Sequence, residues 1–135
     1  MSAETLTVTG VVEQMLGHAA HGRWEALDDL LDKDFEIVEP YSLPYGGTHH
    51  RLDGYVALMA QIAELFELAF EPGGAYALDD HNVLLRMHVT FAARSTGRSV
   101  RLRVVELLEV VGGRVRRSEV FLSDTAALLA TLEGA

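Results

Sequence analysis

The sequence predicts an α+β domain in which three helices precede a curved antiparallel sheet. Up to about residue 66, apolar residues recur at the three- and four-residue spacing of buried helix faces. After that point apolar and polar residues mainly alternate, and Gly112-Gly113 is a typical hairpin turn between two alternating runs. Helices followed by a run of strands are characteristic of the α+β class.

The first half of the chain contains the predicted helices. A stripe including Val8, Val12 and Met15 forms the buried face of the first, and Gly22 ends it. Prolines remove backbone donors, so the segment from Pro40 to Gly47 is predicted to be a loop. The predicted helices cover residues 6–21, 23–32 and 51–66, with a strand at 34–39 before the loop.

The second half is predicted to consist mainly of strands. Pro72-Gly73-Gly74 is expected to interrupt the first of them with a bulge, and Asp124 is expected to cap a short terminal helix. A long curved sheet around helices would enclose a conical pocket. With no internal repeat or linker, one domain over residues 1–135 is predicted. The predicted strands are 67–78, 82–94, 99–111 and 114–122, followed by a helix at 125–132.

Charge and composition exclude several classes of function. The net charge of −9 argues against binding to a nucleic-acid backbone. Residues 1–85 hold 15 acids and 3 bases, whereas residues 86–117 hold 8 arginines and 2 glutamates, which indicates an acidic helical half and a basic outer sheet face. Because the chain has no cysteine, it can form no disulfide or thiolate metal site. It also lacks a signal peptide pattern and a long apolar run, so we expect a cytoplasmic protein without membrane contact.

Three strings of residues resemble the nuclear transport factor 2-like (NTF2-like) superfamily, especially its SnoaL-like and ketosteroid isomerase-like branch. They are residues 21–35, the segment from Glu39 to Gly47, and residues 106–115. The resemblance covers nearly the whole chain and implies a cone-shaped fold. Members often carry a glycine just before the third helix, where this chain has Arg51. The superfamily includes isomerases, cyclases, dehydratases and proteins without known activity, so the fold alone does not give the function.

Two carboxylates occupy strand positions that should face the apolar interior. Glu39 alternates in phase with Phe35 and Ile37, and Glu106 alternates with aliphatic residues of its strand. A buried charge must be paired, protonated or in contact with a wet cavity. Desolvation raises the pKa of a carboxyl group, which suits it to acid–base chemistry near neutral pH.

The resemblance to ketosteroid isomerases gives these two positions roles. It implies that Glu39 moves a proton and that Glu106 donates a hydrogen bond to an oxyanion or balances its charge, a pair of roles described for those enzymes. Their tyrosine on the first helix is not matched, since Met15 lies there. Tyr41, Tyr45 or His49 could substitute from the loop. The alternatives are that both glutamates lie at a strand end or rim, pair with an arginine, or line a pocket without performing chemistry.

Other residues are candidates for binding rather than catalysis. His18 and His21 are spaced to share a metal, but no third ligand is evident, so we expect no metal and no cofactor. Aromatic and methionine side chains at core spacing could instead be simple core. The predicted ligand-binding residues are Trp24, Tyr41, Tyr45, Met59, Met87 and Phe121, and the predicted catalytic residues are Glu39, Glu106 and His49.

The predicted outer sheet face mixes basic and apolar side chains, among them Arg101, Arg103, Val105 and Leu107. Such a face would be buried in a back-to-back homodimer, as is common in this superfamily. The sequence therefore indicates a protein that holds a small apolar ligand. It leaves open whether the protein is a cofactor-free isomerase, cyclase or dehydratase, a non-catalytic binding protein, or an interaction module.

Overall fold

The computed structural model describes residues 7–134, and its first element is helix α1. It spans Val8–Ala20, and the Thr7 hydroxyl caps it by accepting a hydrogen bond from the Gly10 amide at 3.1 Å. The predicted apolar stripe is buried at Val11, Val12 and Met15. Residue 6, where this helix was predicted to begin, lies outside the described residues.

The second predicted helix is shorter than the pattern suggested. A 3₁₀ helix covers Trp24–Asp29, and strand β1 then spans Leu31–Glu39, beginning three residues earlier than predicted. The cause is tertiary pairing: the Val115 amide donates to the Leu30 carbonyl at 2.7 Å, and Leu31 lies opposite Val115 in the sheet. Leu31, which fits the helical stripe, is therefore the first residue of a strand.

A short strand, β2 (Gly47–His50), was missed because it follows a proline-containing loop and is too short for an alternating pattern to be recognised. It pairs antiparallel with β1, and Ile37 lies opposite His49. The loop turns tightly: a Cβ at Gly46 would lie 2.3 Å from the Pro40 carbonyl oxygen, so only glycine fits there.

The remaining elements match the predicted order closely. They are α2 (Arg51–Leu65), β3 (Phe66–Ala77), β4 (Asn82–Ala93), β5 (Ser99–Val111), β6 (Arg114–Leu122) and α3 (Thr125–Leu132). A register shift between Pro72 and Ala75 confirms the predicted bulge in β3. Asp124 caps α3 through its side chain, as predicted. In the described part of the chain, no helix is both long and apolar enough to cross a membrane.

The six strands form one sheet in the order β2-β1-β6-β5-β4-β3. The α+β class is confirmed, but the sheet is mixed: β1 and β6 run parallel, while the other neighbours are antiparallel. Alternation within a strand carries no information on the direction of its partner, which is why a wholly antiparallel sheet was wrongly expected. Helices α1 and α2 contact one face of the sheet, and the core lies between them and that face.

Arg51, the first residue of α2, has a φ of 61° and is the one non-glycine residue in the described chain with a positive φ. Its side chain is exposed, and its nearest ionic partner, Asp53, is 3.8 Å away, so this contact contributes little. A left-handed conformation costs a residue with a Cβ about 1–2 kcal/mol.

We predict that Arg51→Gly is more stable than Arg51→Ala by up to about 1 kcal/mol in free energy of unfolding, measured by urea denaturation. Glycine removes the backbone strain, although part of this gain is offset because glycine gives the unfolded chain more conformational freedom. Both variants lose the arginine side chain, so their difference isolates the backbone effect. Equal midpoints would contradict the assignment of strain to this residue.

Candidate functional site

Glu39 and Glu106 project from the same face of the sheet, on two strands separated only by β6. Glu39 ends β1, in phase with Ile37, and Ile37 lies opposite Ser118 of β6. Glu106 of β5 lies opposite Val120 of β6, two residues beyond Ser118. Residues that lie opposite each other in a sheet share a face, so both carboxyls lie on the face covered by the helices.

Burial raises the pKa of both carboxyl groups. The Glu39 side chain is buried, with 7% of its surface exposed. Its pKa rises from 4.5 to about 8, mainly through desolvation and secondarily through the charge of Glu106. Desolvation also raises the pKa of Glu106, while a hydrogen bond donated by the Ser118 hydroxyl at 2.8 Å opposes the increase.

Neither carboxyl has a cation beside it. All eleven lysines and arginines lie within residues 7–134, and ten of them are exposed. The eleventh, Arg117, is half-buried and is held by Glu36 and Glu119, each at 3.1 Å. Within the described residues, no lysine or arginine therefore forms an ion pair with Glu39 or Glu106. Ionising both groups at once is unfavourable, so the pair is suited to hold a proton at neutral pH.

Two buried tyrosines lie near the carboxyls. The ring of Tyr55, on α2, packs edge-to-face against Trp24 and Phe35, with centroids 5.9 and 5.8 Å apart. Burial raises the pKa of Tyr55, and the charges of Glu106 and then Glu39 add to the increase. Burial and the Glu39 charge likewise raise the pKa of Tyr45. Both hydroxyls stay protonated at physiological pH and can donate hydrogen bonds.

Sequence reasoning missed Tyr55 and Ser118 as site residues. Tyr55 was part of an apolar helix stripe, and no periodicity distinguishes a core tyrosine from one whose hydroxyl lies near a carboxyl. Ser118 is fully buried and occupies an inward position of β6, opposite Ile37. A polar residue in the inward phase was the available signal, the same signal that identified Glu39 and Glu106.

His49 faces the same side of the sheet as Ile37, its partner on β1. Its Nε2 lies 2.7 Å from the Tyr45 carbonyl oxygen. Because a carbonyl only accepts hydrogen bonds, Nε2 carries the hydrogen and Nδ1 is the nitrogen left to accept one. Among the described residues, His49 forms no hydrogen bond or ion pair with either carboxyl.

A pocket of about 230 Å³ lies at the end of β1; Glu39 lines it together with residues of the opposite strand phase, among them Glu119 and Phe121. It brings together three of the predicted site residues: Glu39, Tyr41 and Phe121. The two aromatic side chains are 78% and 43% exposed, so they form its outer wall. The lining residues are Val38, Glu39, Pro40, Tyr41, Glu119, Val120, Phe121, Leu122 and Thr125.

The other predicted ligand-binding residues lie elsewhere. Tyr45 lines a second opening of about 260 Å³, together with Pro44, Gln61, Glu64 and Leu65. Met87 is buried in the core, and Trp24 and Met59 are half-buried against it. None of these three residues lines either described pocket, nor does Glu106.

The histidines considered as metal ligands are held by protein groups. His21 Nδ1 lies 2.8 Å from the Gly17 carbonyl oxygen, and His18 Nδ1 accepts a hydrogen bond from Arg23 at 2.9 Å. Residues 7–134 contain no group of three or more side chains arranged to hold a metal.

Comparison with known proteins gives the family and supports the fold. Residues 12–118 match the model of the SnoaL-like domain. An NTF2-like protein from Burkholderia xenovorans LB400 is 23% identical, with a TM-score of 0.84 over 95% of this chain and 99% of that chain. No curated protein matches the chain in sequence.

Two further solved structures contain small molecules. TerC, co-crystallised with polyporic acid, is 20% identical and has a TM-score of 0.77 over 92% of this chain and 98% of that chain. A protein with a ketosteroid isomerase-like fold from Catenulispora acidiphila DSM 44928, in complex with trimethylamine, is 15% identical. Its TM-score is 0.73 over 90% of this chain and 91% of that chain. At these identities the likeness establishes the fold.

The raised pKa of Glu39 predicts that stability falls as pH rises. The carboxyl titrates near 4.5 in the unfolded chain and near 8 in the folded protein. Between these values the unfolded chain binds fewer protons than the folded one, so the free energy of unfolding decreases across this window and levels off above it. We expect a loss of up to about 5 kcal/mol, to which Glu106 adds with the same sign.

Glu39→Gln should remove most of this dependence, giving a variant more stable than the wild type at about pH 9 but not at about pH 4. Urea denaturation across this range measures the effect. Glu119→Gln, which changes an ion-paired carboxylate of the same pocket, is the matched control and should keep the wild-type slope. Parallel profiles for Glu39→Gln and the wild type would contradict the buried titration.

Proposed function

The chain belongs to the SnoaL-like domain family, and we propose that it binds a small, mainly apolar molecule and acts on it by cofactor-free acid–base chemistry. The reaction would be of the isomerase, cyclase or dehydratase type. The observation that carries this proposal is Glu39: a buried carboxyl without a neighbouring cation, with a pKa of about 8, at a pocket with apolar walls. Such a group can exchange a proton with a ligand near neutral pH.

The lining of the pocket favours a neutral ligand over an anionic one. Two of its lining side chains, Glu39 and Glu119, are carboxyls, and Arg117 is engaged by Glu36 and Glu119. An anion placed there would find no cation that is not already paired with a carboxylate. A neutral carbonyl compound would instead meet apolar walls and one acidic proton.

We assign proton movement to Glu39 and the balancing of charge on the ligand to Glu106. Tyr45 and Tyr55 keep their hydroxyl protons and supply hydrogen-bond donors close to the pair. Through its free Nδ1, His49 serves as an acceptor at the edge of the site. Tyr41 and Phe121 enclose the apolar body of the ligand, and Trp24, Met59 and Met87 shape the core behind it.

Two observations favour a second candidate, binding without turnover. The pocket over Glu39 does not reach Glu106, so a ligand seated there contacts a single interior carboxyl. Structural neighbours include proteins crystallised with polyporic acid and with trimethylamine, which is compatible with a ligand-binding role for this fold.

Exchange of carbon-bound hydrogen in a neutral ketone distinguishes the two functions. We predict that the protein binds neutral bicyclic ketones such as 2-tetralone and accelerates the replacement of their α-hydrogens by deuterium from heavy water. Glu39→Gln should reduce this acceleration by about 100-fold or more while leaving binding within a few-fold, because general acid–base groups contribute about 10²–10⁴ in rate. Proton NMR measures exchange, and fluorescence quenching measures binding.

Glu119→Gln is the matched control, since it alters a carboxylate in the wall of the same pocket that is already paired with Arg117. It should leave exchange nearly unchanged. Binding without exchange in the wild type would support the non-catalytic function. Exchange that is equal in the wild type and Glu39→Gln would remove Glu39 from the mechanism.

We also propose a homodimer formed through the outer face of the sheet. Leu107 is exposed there beside half-buried Val105, two residues before it on the same strand. Arg101 is tied to Glu71 at 2.8 Å, which partly neutralises the charge at the edge of this apolar strip. Burial of such a strip against a second copy would be favourable.

Leu107→Arg should convert the dimer into monomers in sedimentation velocity experiments, because it introduces two unpaired charges into a two-fold interface. Leu78→Arg is the control: Leu78 is 57% exposed but follows β3, outside the strip. A dimer that survives Leu107→Arg would contradict the proposed interface.

A further inference from the structure

We infer that Ser118 decides which of the two interior carboxyls carries their shared proton, holding Glu106 as the carboxylate and leaving Glu39 as the acid. This inference rests on the acid–base site proposed above, but it concerns the free protein and does not require turnover. It reverses the order implied by the resemblance to ketosteroid isomerases, in which Glu39 would first accept a proton.

The hydrogen bond from Ser118 is the first observation. Its hydroxyl donates to Oε1 of Glu106 at 2.8 Å, and Ser118 has no exposed surface. A donor fixed in a dry environment binds a carboxylate more strongly than a neutral carboxylic acid. The contact therefore favours the ionised form of Glu106.

Glu39 lacks equivalent support. Within residues 7–134, the structure gives no hydrogen bond from a protein group to its carboxyl. Both side chains are desolvated, so the hydroxyl of Ser118 is the difference between them. An ionised Glu39 would thus be desolvated without a compensating donor, while an ionised Glu106 keeps the donor from Ser118. The negative charge of Glu106 further raises the pKa of Glu39.

The other groups facing the pair do not reverse this order. Tyr55 of α2 and Tyr45 of the loop stay neutral because burial raises the pKa of both. His49 of β2 faces the same side and is tied to a backbone carbonyl. The inward side chains that α1 and β4 pack against this region are apolar: Val11, Val12, Met15, Val83, Leu85 and Met87.

The proton distribution sets the direction of the first step. The O–H bond of Glu39 would break as a ligand oxygen accepts the proton, leaving Glu39 as a carboxylate. Positive charge that develops on the ligand would be balanced by Glu106. Glu39 could then remove a proton from a ligand carbon, which restores its acid form and completes an isomerisation with no net gain or loss of protons. The ligand class is therefore a neutral molecule with an oxygen that accepts a hydrogen bond.

Carbon-13 NMR of the protein labelled at the glutamate side-chain carboxyls tests the inference directly. The signals are assigned by their loss in Glu39→Gln and Glu106→Gln. We expect Glu106 to ionise at lower pH than Glu39 in the ligand-free wild type. Ser118→Ala should raise the titration midpoint of Glu106 by about one pH unit or more, since a hydrogen bond to a charged group is being removed. Ser118→Thr, which keeps a hydroxyl, should restore most of the wild-type midpoint.

Ionisation of Glu39 before Glu106 in the wild type would overturn the inference, and this comparison does not depend on any Ser118 variant folding. An unchanged Glu106 midpoint in folded Ser118→Ala would remove Ser118 from the account. A loss of packing alone would not shift the titration midpoint of Glu106 selectively. Nor would threonine, which restores only the hydroxyl donor, reverse such a shift. The NMR titration is carried out without a ligand, so its result does not depend on the ketone-exchange experiment. Either proposal can therefore be contradicted while the other stands.

Discussion

Desolvation of two carboxyl groups on one face of the sheet, with no cation beside them, is the constraint on which the rest of the site depends. Glu39 and Glu106 each gain a raised pKa from burial, and each makes ionisation of the other less favourable. An arginine in contact with either group would fix it as a carboxylate and end its use as a proton donor. The side chains around the pair, mainly aliphatic and aromatic, preserve this condition.

The fold imposes that arrangement through its strand order. Parallel pairing of β1 with β6 places the end of β1 two strands from the middle of β5, so one acid from each half of the chain reaches the same face. Alternation then sends the arginines of β4, β5 and β6 to the opposite face, where Arg101 binds Glu71 and Arg117 binds Glu36 and Glu119. The uneven distribution of charge along the sequence is thus the consequence of one sheet with a neutral inner face and a basic outer face.

Strand phase made much of this predictable. The period of two placed Glu39 and Glu106 among inward residues, and the boundaries of β5, β6 and α3 followed from turn and cap residues. Direction of pairing and the short strand β2 were not predictable, because they depend on contacts between distant segments. Tyr55 and Ser118 were missed for a related reason: whether a polar atom in an apolar stripe meets a carboxyl is decided by tertiary packing. Arg51 occupies a left-handed backbone position, which periodicity does not reveal.

The central claim is that a protonated carboxyl persists inside this protein at neutral pH. Infrared spectroscopy detects it most directly, since a protonated carboxyl has a C=O stretching band distinct from the bands of ionised aspartates and glutamates. The account predicts that the ligand-free wild type shows this band at about pH 7 and that Glu39→Gln lacks it. A wild-type spectrum with carboxylate bands alone, unchanged by Glu39→Gln, would contradict the account.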